Sequence, residues 1–177
     1  MPASERQRLN AINFDKAIAR SIQRSIKNNQ RELAWVTEKI NALIAEHQAI
    51  ADKRALLQTA IGVGPEVSLQ FVTDLPELGQ LNREQISHLV GVAPQAKDSG
   101  KKSSYRPISQ GRIHVRKQLY MAALVASKHD PRMKAFYEKL VAKGKLPKVA
   151  LVAVMRKMII MLNTMIKHMT PWRPIQI

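Results

Sequence analysis

The sequence predicts an all-α protein: a long N-terminal coiled-coil helix, then a compact helical domain containing a helix–hairpin–helix-like element and a long basic loop. Three observations support this class. Apolar residues recur at helical spacing in each long segment, no pair of alternating strands flanks a hairpin turn, and only 7 glycines occur in 177 residues. With 45% apolar residues the chain can bury a core. We expect a coiled-coil helix at 1–51, a helical domain at 52–170 and a tail at 171–177.

The first element is a helix predicted from about Asn13 to Ile50. The segment contains neither Gly nor Pro, and apolar residues alternate at spacings of three and four. The stripe consists of Ile26, Leu33, Val36, Ile40, Leu43 and Ile50, with Asn29 and His47 in the remaining positions. Such a heptad pattern predicts a coiled coil that makes the chain a homo-oligomer through residues 13–50. The alternative is a helix that packs on its own domain.

The second element is a pair of short helices, predicted from Lys53 to Ala60 and from Glu66 to Asp74. The turn between them reads Ile-Gly-Val-Gly-Pro at 61–65. This pattern is typical of a helix–hairpin–helix, in which Gly62 and Gly64 would bring backbone N–H groups close to a nucleic-acid phosphate. The alternative is a simple corner between two helices, with Gly62 ending the first and Pro65 beginning the second.

The other helices are predicted from their caps and their period. They run from Arg83 to Val90 behind the N-cap Asn82, from Ile113 to about Ser127, from Arg132 to Ala142 behind Asp130-Pro131, and from Pro147 to about Met169. The last is apolar nearly all round, so it should be the core helix. No uncharged apolar run reaches the length that a membrane span needs, so we expect no membrane association.

Positive charge is concentrated in the second half of the chain. Residues 1–96 hold 11 Lys/Arg and 10 Asp/Glu, whereas residues 97–157 hold 16 Lys/Arg and 3 Asp/Glu. This asymmetry predicts a nucleic acid as the partner, because Lys and Arg beside a phosphate backbone release condensed counterions. The absence of cysteine excludes disulfides, thiol catalysis and Cys-ligated metals.

The loop 93–112 has no hydrophobic period and is the candidate site. Its hydroxyls and cations are Ser99, Ser103, Ser104, Tyr105 and Ser109 with Lys97, Lys101, Lys102, Arg106 and Arg112; Arg116 and Lys117 follow in the next helix. Hydroxyls among cations suit phosphate binding, and they also suit a serine nucleophile that attacks phosphorus. The acidic residues and histidines lack metal-ligand spacing, so we expect no cofactor bound by this chain.

Three blocks of the sequence resemble a known family. They are Ala60–Pro65, His88–Pro94 with Asp98-Ser99-Gly100, and Arg116–Leu124 with Phe136-Tyr137, Gly144-Lys145 and Lys148–Lys157. In this order they resemble the C-terminal transposase domain of the insertion-sequence one-ten family of DEDD transposases, the bridge-RNA-guided serine recombinases. The resemblance covers residues 52–169, and the preceding helix resembles the family's coiled coil.

The resemblance implies that Ser99 is the nucleophile and that it forms a covalent phosphoserine link to DNA. It implies DNA and a guide (bridge) RNA as partners, and a cytoplasmic, nucleoid-associated protein. Mg²⁺ would be held by an acidic RuvC-like domain that is not in this sequence, so we expect the chain to be inactive alone. Two alternatives are a non-catalytic helix–hairpin–helix protein that binds DNA or RNA, and a ribosome- or RNA-associated basic helical protein.

Overall fold

The computed structural model describes residues 16–94, 108 and 110–172. These residues form seven helices and no strand, which confirms the predicted all-α class. The helices are α1 (Lys16–Ala45), α2 (Gln48–Gln58), α3 (Pro65–Asp74), α4 (Arg83–Val90), α5 (Ile113–His129), α6 (Pro131–Ala142) and α7 (Pro147–His168). They divide into two compact units, the first ending at Gln48 and the second beginning at Ala49.

Helix α1 ends earlier than the heptad pattern predicts. It stops at Ala45, and α2 begins at Gln48 rather than at Lys53, so the prediction of one continuous helix to Ile50 is wrong. The Glu46 N–H donates to the Ala42 carbonyl at 3.2 Å, and the His47 N–H donates to the Ile44 carbonyl at 3.0 Å. This last bond spans three residues instead of four, which tightens the chain out of the α-helix. Residues 13–15 lie outside the described part of the chain.

The apolar stripe of α1 is open to solvent. No residue of α1 is buried in the described structure, and Leu33 and Leu43 are 63% and 57% exposed. A stable amphipathic helix normally buries its apolar face. In α1 this apolar stripe stays exposed, because none of the described residues covers it.

Helix α7 is the centre of the second unit and packs against α4, α5 and α6. Ten of its residues are buried, which confirms the predicted core helix: Ala150, Leu151, Val154, Met155, Met158, Ile159, Leu162, Asn163, Met165 and Ile166. By length and composition α7 could also cross a membrane, but 56% of its most apolar stretch is buried inside the fold. A core helix of a globular domain accounts for that pattern.

Two helix starts follow the predicted capping chemistry. The Asn82 side chain accepts the N–H groups of Glu84 and Gln85, each at 2.9 Å, while the Gln85 side chain accepts the Asn82 N–H at 3.0 Å. This reciprocal capping box satisfies donors that a helix start leaves open. Asp130 caps α6 by accepting the N–H of Met133 at 3.0 Å, among others. Helix α4 therefore begins at the predicted residue, and α6 begins at Pro131, one residue before the predicted Arg132.

The buried Asn163 of α7 fixes the turn between α3 and α4. Its side-chain oxygen accepts the Gly79 N–H at 2.8 Å, and its amide donates to the Leu81 carbonyl at 2.7 Å. Gly79 has φ +92°, and a Cβ there would lie 2.6 Å from the Ile166 side chain. The Asn163 side chain and the close backbone contact at Gly79 thus hold this turn against the core helix α7.

Trp172, which the sequence places in the tail, packs against the start of α6. Its indole N–H donates to Asp130 at 2.8 Å, and the Arg132 guanidinium lies 4.8 Å from the centre of its ring. The described chain therefore stays attached to the second unit up to its last described residue.

Candidate nucleic-acid interface

The glycine-rich turn between α2 and α3 packs on the protein itself. Gly62 has φ +94°, and a Cβ there would collide with the Ala122 carbonyl of α5. Gly64 is different: it is the N-cap of α3 and has open space around its Cα. The acidic, exposed Glu66 lies in the first turn of α3 and would repel a phosphate. The space beside the Gly62 Cα is thus filled by α5 and that beside the Gly64 Cα is open, and a phosphate contact by either backbone N–H stays a prediction.

The basic loop is closed at its base. Ser99, Lys97, Lys101, Lys102 and Arg106 lie outside the described residues, but both ends of the loop are described. Gly91 and Gly111 have φ values of +76° and +72°, and a Cβ on Gly111 would lie 2.7 Å from the Gly91 Cα. The Arg112 N–H also donates to the Leu89 carbonyl at 2.9 Å. The two ends of the predicted site loop therefore meet at one point.

Arg112 anchors that closure to the turn after α3. Its guanidinium makes two hydrogen bonds to the Glu77 carboxylate, at 2.6 and 2.7 Å, and one to the Asp74 carbonyl at 2.6 Å. The hydrogen bonds from Arg112 lower the pKa of Glu77, and the same pairing raises the pKa of Arg112. Arg112 is thus placed as an anchor of the loop, with its charge balanced by Glu77.

Arg116 reinforces the closure from the first turns of α5. Its guanidinium donates to the Gln110 carbonyl and lies 3.4 Å from the Val90 carbonyl oxygen. In these contacts Arg116, unlike Arg112, pairs with carbonyl groups and not with a carboxylate. Its positive charge therefore adds to the positive charge of the surrounding surface. Lys117, the next residue, is exposed.

A basic groove runs between α5 and α7 beside the closed loop base. It consists of two clefts of about 240 and 560 Å³ that share Ile108, Lys148 and Val152. The other lining residues are Val92, Pro94, Val149, Ala153 and Arg156 in the smaller cleft and Arg116, Lys117, Tyr120, Met121 and Met155 in the larger. Among these described residues there are four cations and no carboxylate. We call this surface the basic groove.

Only part of this groove was predicted as a site from the sequence. Arg116 and Lys117 were expected there, but Tyr120, Lys148 and Arg156 were not. A signal was present, since Lys148, Val152 and Arg156 follow one another at intervals of four along α7 and so share one face of the helix. In the sequence Tyr120 occupies one of the apolar positions of the helical period, which predicts a buried residue, yet 40% of it is exposed.

Within the described residues, no three Asp, Glu or His side chains form a metal site.

Part of the second unit also matches a family of known proteins. Residues 54–138 match the model of the family described as Transposase IS116/IS110/IS902 family. No curated protein matches the chain significantly. The matched segment includes the glycine turn, the whole basic loop and helix α5, and transposases act on DNA, which makes DNA a partner. The chain therefore carries, at residues 54–138, the transposase domain of the IS116/IS110/IS902 family.

Proposed function

We propose that this chain is the nucleic-acid-binding and Ser99-bearing part of an insertion-sequence transposase that exchanges DNA strands through phosphoserine chemistry. The observation that carries this proposal is the basic groove, which joins residues of the matched transposase segment 54–138 to residues of α7 and is lined by residues from both ends of the Ser99 loop. Val92 and Pro94 come from one end of that loop and Ile108 from the other. DNA held in the groove would therefore lie beside both ends of the loop that carries Ser99.

In the proposed reaction the Ser99 hydroxyl oxygen attacks a DNA phosphorus and displaces one deoxyribose oxygen, which leaves as a hydroxyl group because it takes up a proton in exchange for the one that the serine gives up. The covalent phosphoserine conserves the bond energy, so a deoxyribose hydroxyl of another strand can reverse the step and rejoin the DNA. Gly100, directly after Ser99, allows the backbone to approach the phosphate. Lys97, Lys101, Lys102 and Arg106 would offset the negative charge of the transition state.

The resemblance supplies the remaining parts of the proposal. A serine hydroxyl is a weak nucleophile without a base or a metal to activate it. In the family that activation comes from acidic residues and Mg²⁺ in a RuvC-like domain, and a bridge RNA guides target choice. We propose the same division of labour here, in the cytoplasm, with the basic surface available to DNA and to a guide RNA.

The experiment is a strand-exchange and adduct assay with this chain, the family's RuvC-like domain, Mg²⁺, guide RNA and DNA. Ser99→Ala should abolish exchange and the covalent protein–DNA species. DNA binding should weaken by no more than about tenfold, because a lost neutral hydrogen bond costs about 0.5–1.5 kcal/mol. Ser103→Ala, Ser104→Ala and Ser109→Ala are the matched controls, since none of those serines is followed by glycine.

Two outcomes would contradict the proposal. Exchange retained in Ser99→Ala, or lost only in a control variant, would assign the nucleophile to another residue of the loop. A wild-type protein that binds DNA but forms no adduct in the complete system would favour the non-catalytic helix–hairpin–helix alternative.

A further inference from the structure

We propose that the basic groove holds an unpaired stretch of nucleic acid, with a base stacked on the ring of Tyr120 and the neighbouring phosphates on the cations. This rests on the proposed function, because it specifies the form of nucleic acid that the groove takes. A domain that exchanges strands must at some point handle DNA whose bases are not paired.

The first support is the apolar wall of the groove. Tyr120 and Met121 on α5 face the same cleft as Val152 on α7 and Ile108 from the loop. Tyr120 is 40% and Met121 54% exposed, so both present apolar surface to solvent. A duplex offers its phosphates outward and keeps its base faces stacked inside, so it leaves such a wall uncovered. An unpaired base has a free face that can stack on an aromatic ring.

The second support is the arrangement of charge. Arg116 and Lys117 on α5 and Lys148 and Arg156 on α7 line the same groove, with no carboxylate among its lining residues. Alternating aromatic and cationic contacts are the means by which proteins hold single strands, because cations follow the backbone while rings take the bases. The larger cleft, at about 560 Å³, lies within the range of roughly 300–1,000 Å³ that is typical of small-molecule sites.

The charge of the groove also bears on its occupant. Its described lining holds four cations and no carboxylate, so a polyanion with exposed bases satisfies the cations and the apolar wall together.

The test uses the full 177-residue chain and fluorescence anisotropy with three labelled probes. They are a short oligothymidylate, the same strand with abasic sites at its central positions, and a duplex of equal length. The wild type should bind the base-bearing strand about 5- to 150-fold more tightly than the abasic strand, as expected for one stacked base. Tyr120→Leu should remove that preference, Tyr120→Phe should keep it, and Val125→Ala, at an exposed site on α5 that does not line the groove, should not change it.

The salt dependence separates stacking from charge. Tyr120→Leu removes no charge, so the slope of log affinity against log salt should be unchanged, whereas Lys148→Gln should reduce the slope for the strand by about 0.7. Equal binding of the two strands by the wild type would overturn this inference, and that comparison does not depend on any variant folding. Salt-dependent duplex binding would then still support the proposed function. Failure to bind all three probes would overturn both.

Discussion

At the base of the basic loop, Gly91 and Gly111 both adopt positive φ angles and their backbones touch. A Cβ on Gly91 would meet the Gln110 carbonyl and the Arg116 guanidinium. Glycine is needed there for two separate reasons, its left-handed conformation and the absence of space. The two ends of the loop that carries Ser99 can therefore come this close only with glycine at both positions.

Gly91→Ala tests that dependence against a matched glycine. Gly144 has nearly the same φ, +77° against +76°, but open space around it. Gly144→Ala should therefore cost only the left-handed strain, about 1–2 kcal/mol of unfolding free energy. Gly91→Ala should cost roughly 1–3 kcal/mol more, because its Cβ forces the loop ends apart. Urea unfolding followed by circular dichroism measures both, and equal losses in the two variants would show that the contact at Gly91 contributes nothing.

The Glu77–Arg112 pair predicts a pH-dependent contribution to stability. Hydrogen bonds from Arg112 hold the pKa of Glu77 below its ordinary value. A carboxylate with a lowered pKa stabilises the fold above its ordinary pKa, and this contribution is lost as the pH falls through the lowered value. Because both side chains are about one-third exposed, at 35% and 36%, Glu77→Gln should cost only about 0.2–1 kcal/mol at neutral pH.

That cost should vanish in acid, below the lowered pKa, where the wild-type carboxyl is also neutral. Urea unfolding of the wild type and Glu77→Gln across the acidic range measures the difference. Glu138→Gln, at an exposed site on α6, is the control. A cost of Glu77→Gln that stays constant down to strong acid would rule out titration of the paired carboxylate as its source.

Among the elements, α1 has no buried residue and an open apolar stripe, and the predicted coiled coil depends on it. Over the described helix the heptad positions run from Ile22 through Ile26, Asn29, Leu33, Val36 and Ile40 to Leu43. The early end of the helix at Ala45 removes His47 and Ile50 from the seam. About three heptads remain, which is enough for self-association if a second helix covers the stripe.

Leu33→Asp with Ile40→Asp should therefore convert an oligomeric wild type to a monomer in sedimentation equilibrium. Two buried carboxylates facing each other across a seam cannot be accommodated at neutral pH. Asn28→Asp with Ala42→Asp adds the same charge at positions outside the seam and should leave the oligomer intact. A wild type that is monomeric at micromolar concentration would disprove self-association through α1.

For the whole molecule, we expect the net charge of +16 and its concentration after residue 96 to set the strength of nucleic-acid binding. Counterion release makes such binding steeply salt-dependent. If about six phosphates are contacted, raising the salt from about 50 to 200 mM should weaken duplex binding on the order of a thousandfold. We expect the basic groove to supply part of that contact.

Lys148→Gln with Arg156→Gln should make duplex binding less dependent on salt. The slope of log affinity against log salt should shrink by about 1.8, since each phosphate contact contributes roughly 0.9 for duplex DNA. Lys27→Gln with Lys167→Gln removes two charges from exposed positions outside the groove and is the control. Anisotropy titrations at several salt concentrations measure the slopes, and identical slopes for the two double variants would show that the groove does not contact phosphates.

The sequence by itself determined the all-α class, the core helix and most helix boundaries. Asn82, Asp130-Pro131 and Pro147 mark helix starts through bonds and backbone angles that lie within a few residues, so their effect can be deduced locally. The family could also be deduced from short ordered blocks. The lack of a hydrophobic period and the charge make the loop the candidate site, and both this choice and the role of Ser99 stay predictions.

Only the tertiary structure decided the rest, because the contacts involved join distant residues. The end of α1 at Ala45 has no Gly or Pro to mark it, and helix propensity alone is too weak to locate such a break. Gly62 fits a phosphate-binding turn in the sequence, yet its missing Cβ accommodates Ala122, sixty residues away. The basic groove likewise forms only when Tyr120 on α5 and Lys148 on α7 are packed side by side, and no local pattern determines which faces of two helices meet.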